Sequence, residues 1–192
     1  MHVEPVPADT RAVVLVEGAS DRVAVRTLAA RIGRDLDAEG VRVVAMGGAT
    51  NIGHFLDRLG PAGRRLRLAG LYDHAEEGFF RRGLERAGLG VDLTRPAMAA
   101  LGFHACVVDL EDELIRALGA DQVRWVVTQA GDLASLLLFQ RQPAQQGRPV
   151  EAQLRRFLGT RSGRKEAYAR LLVTALDPDR VPRSLRAVLD DV

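Results

Sequence analysis

The sequence predicts an α/β fold, a parallel four-stranded sheet with helices on both faces, followed by a helical extension. Three observations carry this. Short apolar runs recur through the first part of the chain, each the length of a strand buried on both faces. Segments of helical periodicity separate them, the alternation that builds a parallel sheet. From about Asp121 the strand-like runs stop, and helix-like segments broken by Pro and Gly take over. The chain therefore divides into a sheet domain over 1–120 and a helical extension over 121–192.

Each element follows from its residues. Ala12-Val-Val-Leu-Val16 is the first strand, ended by Glu17-Gly18. Ser20 is the predicted N-cap of a helix carrying Val23, Leu28 and Ile32 at roughly helical spacing. Val41 to Met46 is the second strand, closed by Gly47-Gly48. Asn51 to Leu59 reads as a helix stopped by Gly60-Pro61. Leu66 to Tyr72 is the third strand, with a helix from Glu76 to Ala87 after it. Gly88 to Leu101, which contains Pro96, reads as a long irregular loop. Phe103 to Val108 is the fourth strand and leads into a helix over Asp112 to Leu118. Leu133 to Phe139, Val150 to Leu158, Lys165 to Leu176 and Ser184 to Val192 read as the helices of the extension.

Composition narrows the function classes. Of 192 residues 47% are hydrophobic and 27% charged, which permits a core without disulfide or metal staples. No stretch of eighteen apolar residues occurs, so no membrane span is expected. The first seven residues lack a basic stretch leading into an apolar run, so no secretory signal is predicted and a cytoplasmic location is the default. Cys106 is the sole cysteine. It excludes a disulfide framework and a thiolate zinc site, and its apolar neighbours make it a buried thiol. The net charge of +2 says little, but Lys165 is the sole lysine among 27 cations, the rest being arginine.

The acids carry the chemistry. In parallel sheets ligands bind beyond the carboxyl ends of the strands. The first strand ends in Glu17, with Asp21 four residues on. The third ends in Asp73, then His74, Glu76 and Glu77. The fourth ends in Asp109, Glu111, Asp112 and Glu113. Taken singly, each acid reads as a helix cap or first-turn residue. Taken together they place repelling carboxylates on one rim, an arrangement that a cation would relieve. Oxygen donors without cysteine select Mg2+ or Mn2+ over zinc.

In this order the residues resemble the TOPRIM domain of the OLD (overcoming lysogenization defect) nucleases. Val14-Leu-Val-Glu-Gly-Ala-Ser-Asp21 is similar to the first acidic motif of that family. Met46-Gly-Gly48 with Asn51-Ile52 is similar to its glycine turn. Asp73-His-Ala-Glu-Glu77 stands where the family has Asp-x-Asp, and Asp109-Leu-Glu-Asp-Glu113 resembles its later acidic segment. Ser162-Gly-Arg-Lys-Glu-Ala-Tyr168 resembles a lysine segment of the family's helical part. The resemblance implies a metal-dependent endonuclease, with Glu17, Asp73 and Lys165 catalytic and Glu17, Asp21, Asp73, Asp109 and Glu111 around Mg2+ or Mn2+. It implies DNA as the expected nucleic acid. Ala75 departs from the pattern, since it replaces the second acid of Asp-x-Asp. His74, Glu76 and Glu77 are the residues that could compensate.

The Arg161 to Lys165 cluster, with Arg161, Arg164 and Lys165, is the favoured nucleic-acid contact; Arg64, Arg65, Arg67, Arg81, Arg82, Arg155 and Arg156 are further candidates. Trp125 and Tyr168 read as core or interface residues. No Gly-x-x-x-x-Gly-Lys-Ser/Thr motif is present, so ATP hydrolysis by a P-loop is not expected. A separately encoded ATPase and a second copy of the chain, as a homodimer, are the other partners considered. Two rivals stand beside the nuclease reading. A catalytically weak TOPRIM module that binds DNA or an ATPase is favoured by Ala75. A receiver-like phosphoacceptor using Asp73 is disfavoured, because no lysine follows a late strand.

Overall fold

The computed structural model describes residues 6–161 and 163–192. Met1 to Pro5, on which most of the signal-peptide reading rests, and Ser162, which opens the lysine segment, lie outside the described residues. Four parallel strands form one sheet: β1 (Ala12–Val16), β2 (Val41–Ala45), β3 (Arg67–Asp73) and β4 (Phe103–Cys106), in the order β2-β1-β3-β4. The register pairs Ala12 with both Val41 and Arg67, and Gly70 with Phe103. Because all four strands run the same way, every strand ends on the same rim.

Side-chain alternation along the central strand divides the core in two. Ala12, Val14 and Val16 point to one face. There they meet α1 (Ala19–Arg31) together with the later helices. Val13 and Leu15 point to the other face. There they meet α2 (Ile52–Leu59), α3 (Glu77–Arg86) and α4 (Arg95–Ala100). The chain continues through α5 (Leu110–Leu118), α6 (Ala120–Gln129), α7 (Leu133–Gln140), α8 (Val150–Leu158), α9 (Arg164–Ala175) and α10 (Arg183–Asp190). The helical extension packs on the sheet. Helix α9 lies along α1, and α10 lies against β4 and β3. Arg31 fixes the first contact by donating to the carbonyls of Val173 and Leu176 at 2.6 and 2.9 Å, which satisfies the open end of α9.

Several sequence expectations shift. Helix α1 starts at Ala19, so Ser20 lies inside it and Gly18 is the capping position. The loop expected over 88–101 contains α4. Thr94 caps it, accepting from the Ala97 N–H at 3.3 Å, and Pro96 sits in its first turn. Proline there lacks only a hydrogen that would have had no partner, so it starts a helix instead of breaking one. Helix α6 was hidden by its β-branched residues. Val123, Val126 and Val127 nevertheless fall on one helical face and are buried. Trp125 lies on the opposite side and is 54% exposed, so the core reading of this residue fails. Tyr168 is buried, as is Cys106, whose thiol burial pushes far above its ordinary pKa. Strand β4 ends at Cys106, two residues early, leaving Val107 and Val108 exposed.

Gly70 lies in the middle of the sheet, where a Cβ would stand 2.6 Å from the Phe103 ring. Gly70→Ala is therefore expected to lower the unfolding free energy by roughly 1–3 kcal/mol, the usual cost of overpacking. A urea titration followed by far-UV circular dichroism measures it.

Candidate active site

The rim is organised by the backbone at the end of β1. After Val16 the chain turns through Glu17 and Gly18 into α1, and Asp21 accepts a hydrogen bond from the Gly18 N–H at 2.8 Å. Opposite, Gly47 and Gly48 donate their N–H groups to the Glu17 carbonyl at 3.1 and 3.2 Å. Both glycines have positive φ, 72° and 120°, a backbone that side-chain-bearing residues rarely adopt. Asn51 braces this turn by donating to the Met46 carbonyl at 2.9 Å. The glycine turn thus clamps the backbone that carries Glu17.

Glu17, Asp21, Asp73 and Glu111 line one cleft of about 410 Å³, with Arg161, Lys165 and Glu166 on its far wall. Burial pushes the Asp73 carboxyl up to about 8, and the charges of Asp21, Glu17, Asp109 and Glu111 push the same way. Asp21 is pushed up to about 7, chiefly by burial. The Gly18 N–H opposes that rise, while the charges of Glu111 and Glu17 add to it. Glu17 is raised by burial and then by Glu76, with Lys165 opposing. Its Oε2 is buried, and no hydrogen-bond partner reaches it among the described residues. Lys165 Nζ stands 3.2 Å from Glu111 Oε1. Burial alone would push the lysine down, but the acids, Glu111 first, outweigh it and hold Lys165 above its ordinary pKa.

Other predicted residues are occupied elsewhere. Asp109 caps α5 by accepting from the Asp112 N–H at 2.8 Å, and its second oxygen meets Arg155 at 2.5–2.6 Å. Both of its oxygens are committed, so Asp109 faces the cleft as charge more than as an open ligand. Glu77 turns away to Arg81 and Arg95, at 2.6 and 2.5 Å, and the His74 ring meets the same Arg95 at 2.5 Å. Of the three residues weighed as replacements for the acid missing at Ala75, Glu76 is the one whose charge helps to raise Glu17.

Arg164 corrects an expectation. It does not face solvent as a nucleic-acid contact. It is buried, with its guanidinium 4.2 Å from the Phe157 ring centroid, and it donates to Thr160 Oγ1 at 2.6 Å and approaches Asp132 at 3.4 Å. Arg64 likewise binds the carbonyls of Val6 and Pro7 at 2.8 and 2.7 Å. Arg161 is exposed at the cleft mouth. Arg155, expected as a further nucleic-acid contact, is instead paired with Asp109. Its partner, Asp109, lies 46 residues away, and no local spacing signals the pair.

Residues 10–66 match the sequence profile of the family described as overcoming lysogenization defect protein-like, TOPRIM domain. That stretch holds β1, the Glu17 turn, α1, β2 and the glycine clamp. Over that stretch the chain is similar to OLD-like TOPRIM domains. Beyond the matched stretch, the fold of nearly the whole chain resembles solved OLD structures. The C-terminal region of the Xanthomonas campestris pv. campestris OLD protein superposes with a TM-score of 0.73 at 26% identity, covering 95% of this chain and 92% of that one. The C-terminal region of the Burkholderia pseudomallei OLD protein gives 0.73 at 21% identity, over 95% and 96%, and there the likeness is one of fold. Among curated proteins none matches. TOPRIM domains generally bind divalent metal ions, and the OLD type points to nuclease-related work on nucleic acid.

Does the TOPRIM cleft fit such an ion? Among the described residues no three His, Cys, Asp or Glu side chains are gathered closely enough to hold one by themselves. Mg2+ does not require such a cage. It keeps several waters and is commonly held by one or two carboxylates plus substrate phosphate. The unpartnered Glu17 oxygen, the raised Asp21 and Asp73 and the all-oxygen donor set fit that mode.

Two predictions follow from the charges. Asp21 and Asp73 hold protons more tightly folded, near 7 and 8, than in an unfolded chain near 3.8. The folded state therefore binds more protons between these limits, and the metal-free protein is expected to lose stability as pH rises from about 4 through 8. A cation would replace those protons, so Mg2+ should raise the melting temperature more at pH 8.5 than at pH 6. Differential scanning fluorimetry with Mg2+ and with EDTA reads both slopes. For Arg164→Ala, a stability loss of roughly 2 kcal/mol is expected from the hydrogen bonds of a buried charge, with DNA affinity unchanged by fluorescence anisotropy.

Proposed function

We propose that this chain hydrolyses phosphodiester bonds in nucleic acid, DNA first, as a Mg2+- or Mn2+-dependent endonuclease. The observation that carries the reading is the Glu17 carboxylate, with one buried oxygen lacking a hydrogen-bond partner among the described residues, beside two carboxyls kept protonated at unusually high pH by burial and by neighbouring acids. Such a rim is unfavourable as it stands and becomes favourable around a cation.

Glu17, Asp21, Asp73 and Glu111 would hold the ion, with Asp109 adding negative charge from its place against Arg155. A bound ion supplies Lewis-acid polarisation of phosphate oxygen and a water that ionises near neutral pH. The protein's own groups do the rest. Arg161 at the mouth meets the phosphate backbone. Lys165 meets the scissile phosphate or leaving oxygen as a point charge. Leaving Glu111 for the phosphate would strand a buried carboxylate, a costly state unless a cation takes the lysine's place. Ion binding and release of Lys165 are therefore coupled. Below about pH 7 a bound cation would hold Asp21 and Asp73 ionised where the metal-free site keeps them protonated.

Ala75 supports a second reading, a weak or inactive module that binds DNA or a separate ATPase. The residue is exposed, and its neighbours His74 and Glu77 are held by Arg95. A homodimer is compatible with either reading. Supercoiled-plasmid nicking with Mg2+, Mn2+ or EDTA separates the two. Wild type is expected to nick with either metal and not in EDTA. Glu17→Ala is expected to lose at least a hundredfold in rate, and Ala75→Asp to gain. Wild type that never nicks under any metal would end the enzyme reading in favour of the binding module.

A further inference from the structure

Helix α3 presents two stripes. Phe80, Gly83 and Leu84 are buried against the core. Phe79, Arg82 and Arg86, at i, i+3 and i+7, form an exposed stripe beside them. Phe79 stands on the first turn and is 38% exposed. One exposed ring is ordinary on a protein surface; its surroundings are not. The Arg82 guanidinium lies over the ring, 5.0 Å from its centroid. Gly78 leaves room for it, since a Cβ there would stand 3.2 Å from Arg82 Nη1. Arg81, beside it in sequence, is taken up by Glu77 at 2.6 Å. Among the described residues no acid forms an ion pair with Arg82 or Arg86, and Arg86 donates only to the Arg82 carbonyl, at 3.3 Å.

These three side chains line a pocket of about 470 Å³ together with Thr50 and Glu85. Its walls come from α3 and from the helical turn Ala49–Asn51, which pack together. Gly83 permits the approach, because a Cβ there would meet the Ile52 side chain at 3.0 Å. Glu85, the one acid of the pocket, is engaged by the Leu93 N–H at 3.0 Å. Two guanidiniums beside one engaged carboxylate leave the pocket net positive. The pocket and the acidic cleft share no lining residue, but both hang from the same two turns. Thr50 follows directly on the Gly47-Gly48 clamp, whose N–H groups hold the Glu17 carbonyl. At the chain's extended limit the Thr50 and Gly48 Cα atoms are at most about 7 Å apart. Phe79 is carried by the helix that begins after Asp73, which lines the cleft.

We propose that this pocket takes one unpaired base of a nucleic-acid strand, stacked against Phe79 and Arg82, with the adjoining phosphate on Arg86. This rests on the phosphodiester reading of the cleft and names the form of nucleic acid it meets, a strand with an unpaired base. A base offers a flat face to an aromatic ring and to a guanidinium plane alike. Its phosphates complement the two cations. A paired base is held inside the duplex stack and offers no such face. Stacking of this kind tolerates any base, so the pocket would hold a strand without reading its sequence.

The test is fluorescence anisotropy in EDTA, where metal-dependent cleavage cannot intervene. The probes are a labelled single strand of about twelve nucleotides, an abasic strand of the same length and a duplex of the same sequence. Wild type is expected to bind the base-bearing strand roughly tenfold more tightly than the abasic one. Phe79→Ala should lose that preference yet bind the abasic strand and the duplex as wild type does, which a misfolded variant would not. Phe79→Tyr should keep the preference. Arg82→Gln/Arg86→Gln should weaken both single strands and make the slope of log K against log salt shallower by roughly 1.4, two contacts at about 0.7 each. Trp125→Ala, which removes an exposed aromatic on α6, should bind as wild type. A wild type that binds the abasic strand equally well overturns the proposal, as does a Phe79→Ala variant that keeps the preference or a Trp125→Ala variant that loses it. So does a wild type that binds a mononucleotide but no oligonucleotide, which would make the pocket a free-nucleotide site. The two readings fail separately: a wild type that prefers bases through Phe79 but never nicks plasmid loses the nuclease reading and keeps the stack. A wild type that nicks while Phe79→Ala binds every probe unchanged does the reverse.

Discussion

Repulsion among carboxylates on one rim is the constraint on which the rest of this structure turns. Parallel strands necessarily end together, and here three of the four deliver acids at that edge. Burial would raise each carboxyl by itself; the shared charge raises them further, as the values near 7 and 8 for Asp21 and Asp73 show. The surrounding structure answers with cations from the helical extension. Arg155 on α8 meets Asp109, and Lys165 on α9 meets Glu111. Helices far along the chain are thus electrostatic partners of the sheet as well as its apolar cover.

The same packing explains how the rim is held open. The glycine clamp at Gly47-Gly48 restrains the Glu17 backbone from the β2 side. Arg31 locks α9 onto α1 from the far end, so the first turns of both helices, bearing Asp21 and Lys165, stand across one cleft. The apolar core beneath joins Val14 and Val16 of the central strand to Leu172 and Val173 of α9. Displacing α9 would therefore expose core as well as separate charges, and the second cost is paid only where the first is. Arg161 and Lys165 on the cleft wall then face a site whose geometry the core has already fixed.

Charge is apportioned by distance and burial more than by residue type. Arg161 and Arg164 lie three residues apart, yet one is exposed at the cleft and the other is buried over Phe157. Asp109 and Glu111 lie two apart, yet the first is consumed as a helix cap while the second faces the lysine. Arg161 precedes α9 while Arg164 opens it, and residues two apart at the start of α5 do not share a face. Ala75 sits among acids of the same kind, and the residues around it do not simply fill its place: His74 and Glu77 point to Arg95, and Glu76 alone acts on Glu17.

The four strands, their parallel arrangement and the gathering of acids at their ends were legible in the sequence, because apolar runs and strand-end acids are local patterns and parallel strands share one rim by necessity. The resemblance of the Glu17, Gly47-Gly48 and Asp73 segments to TOPRIM was legible for the same reason. Helices α4 and α6 were not, since a first-turn proline and a β-branched run look locally like loop and strand until packing decides. Nor were the Arg155–Asp109 pair or the burial of Arg164. These unite residues 46 and 32 positions apart, and only the packing of the later helices brings them within reach.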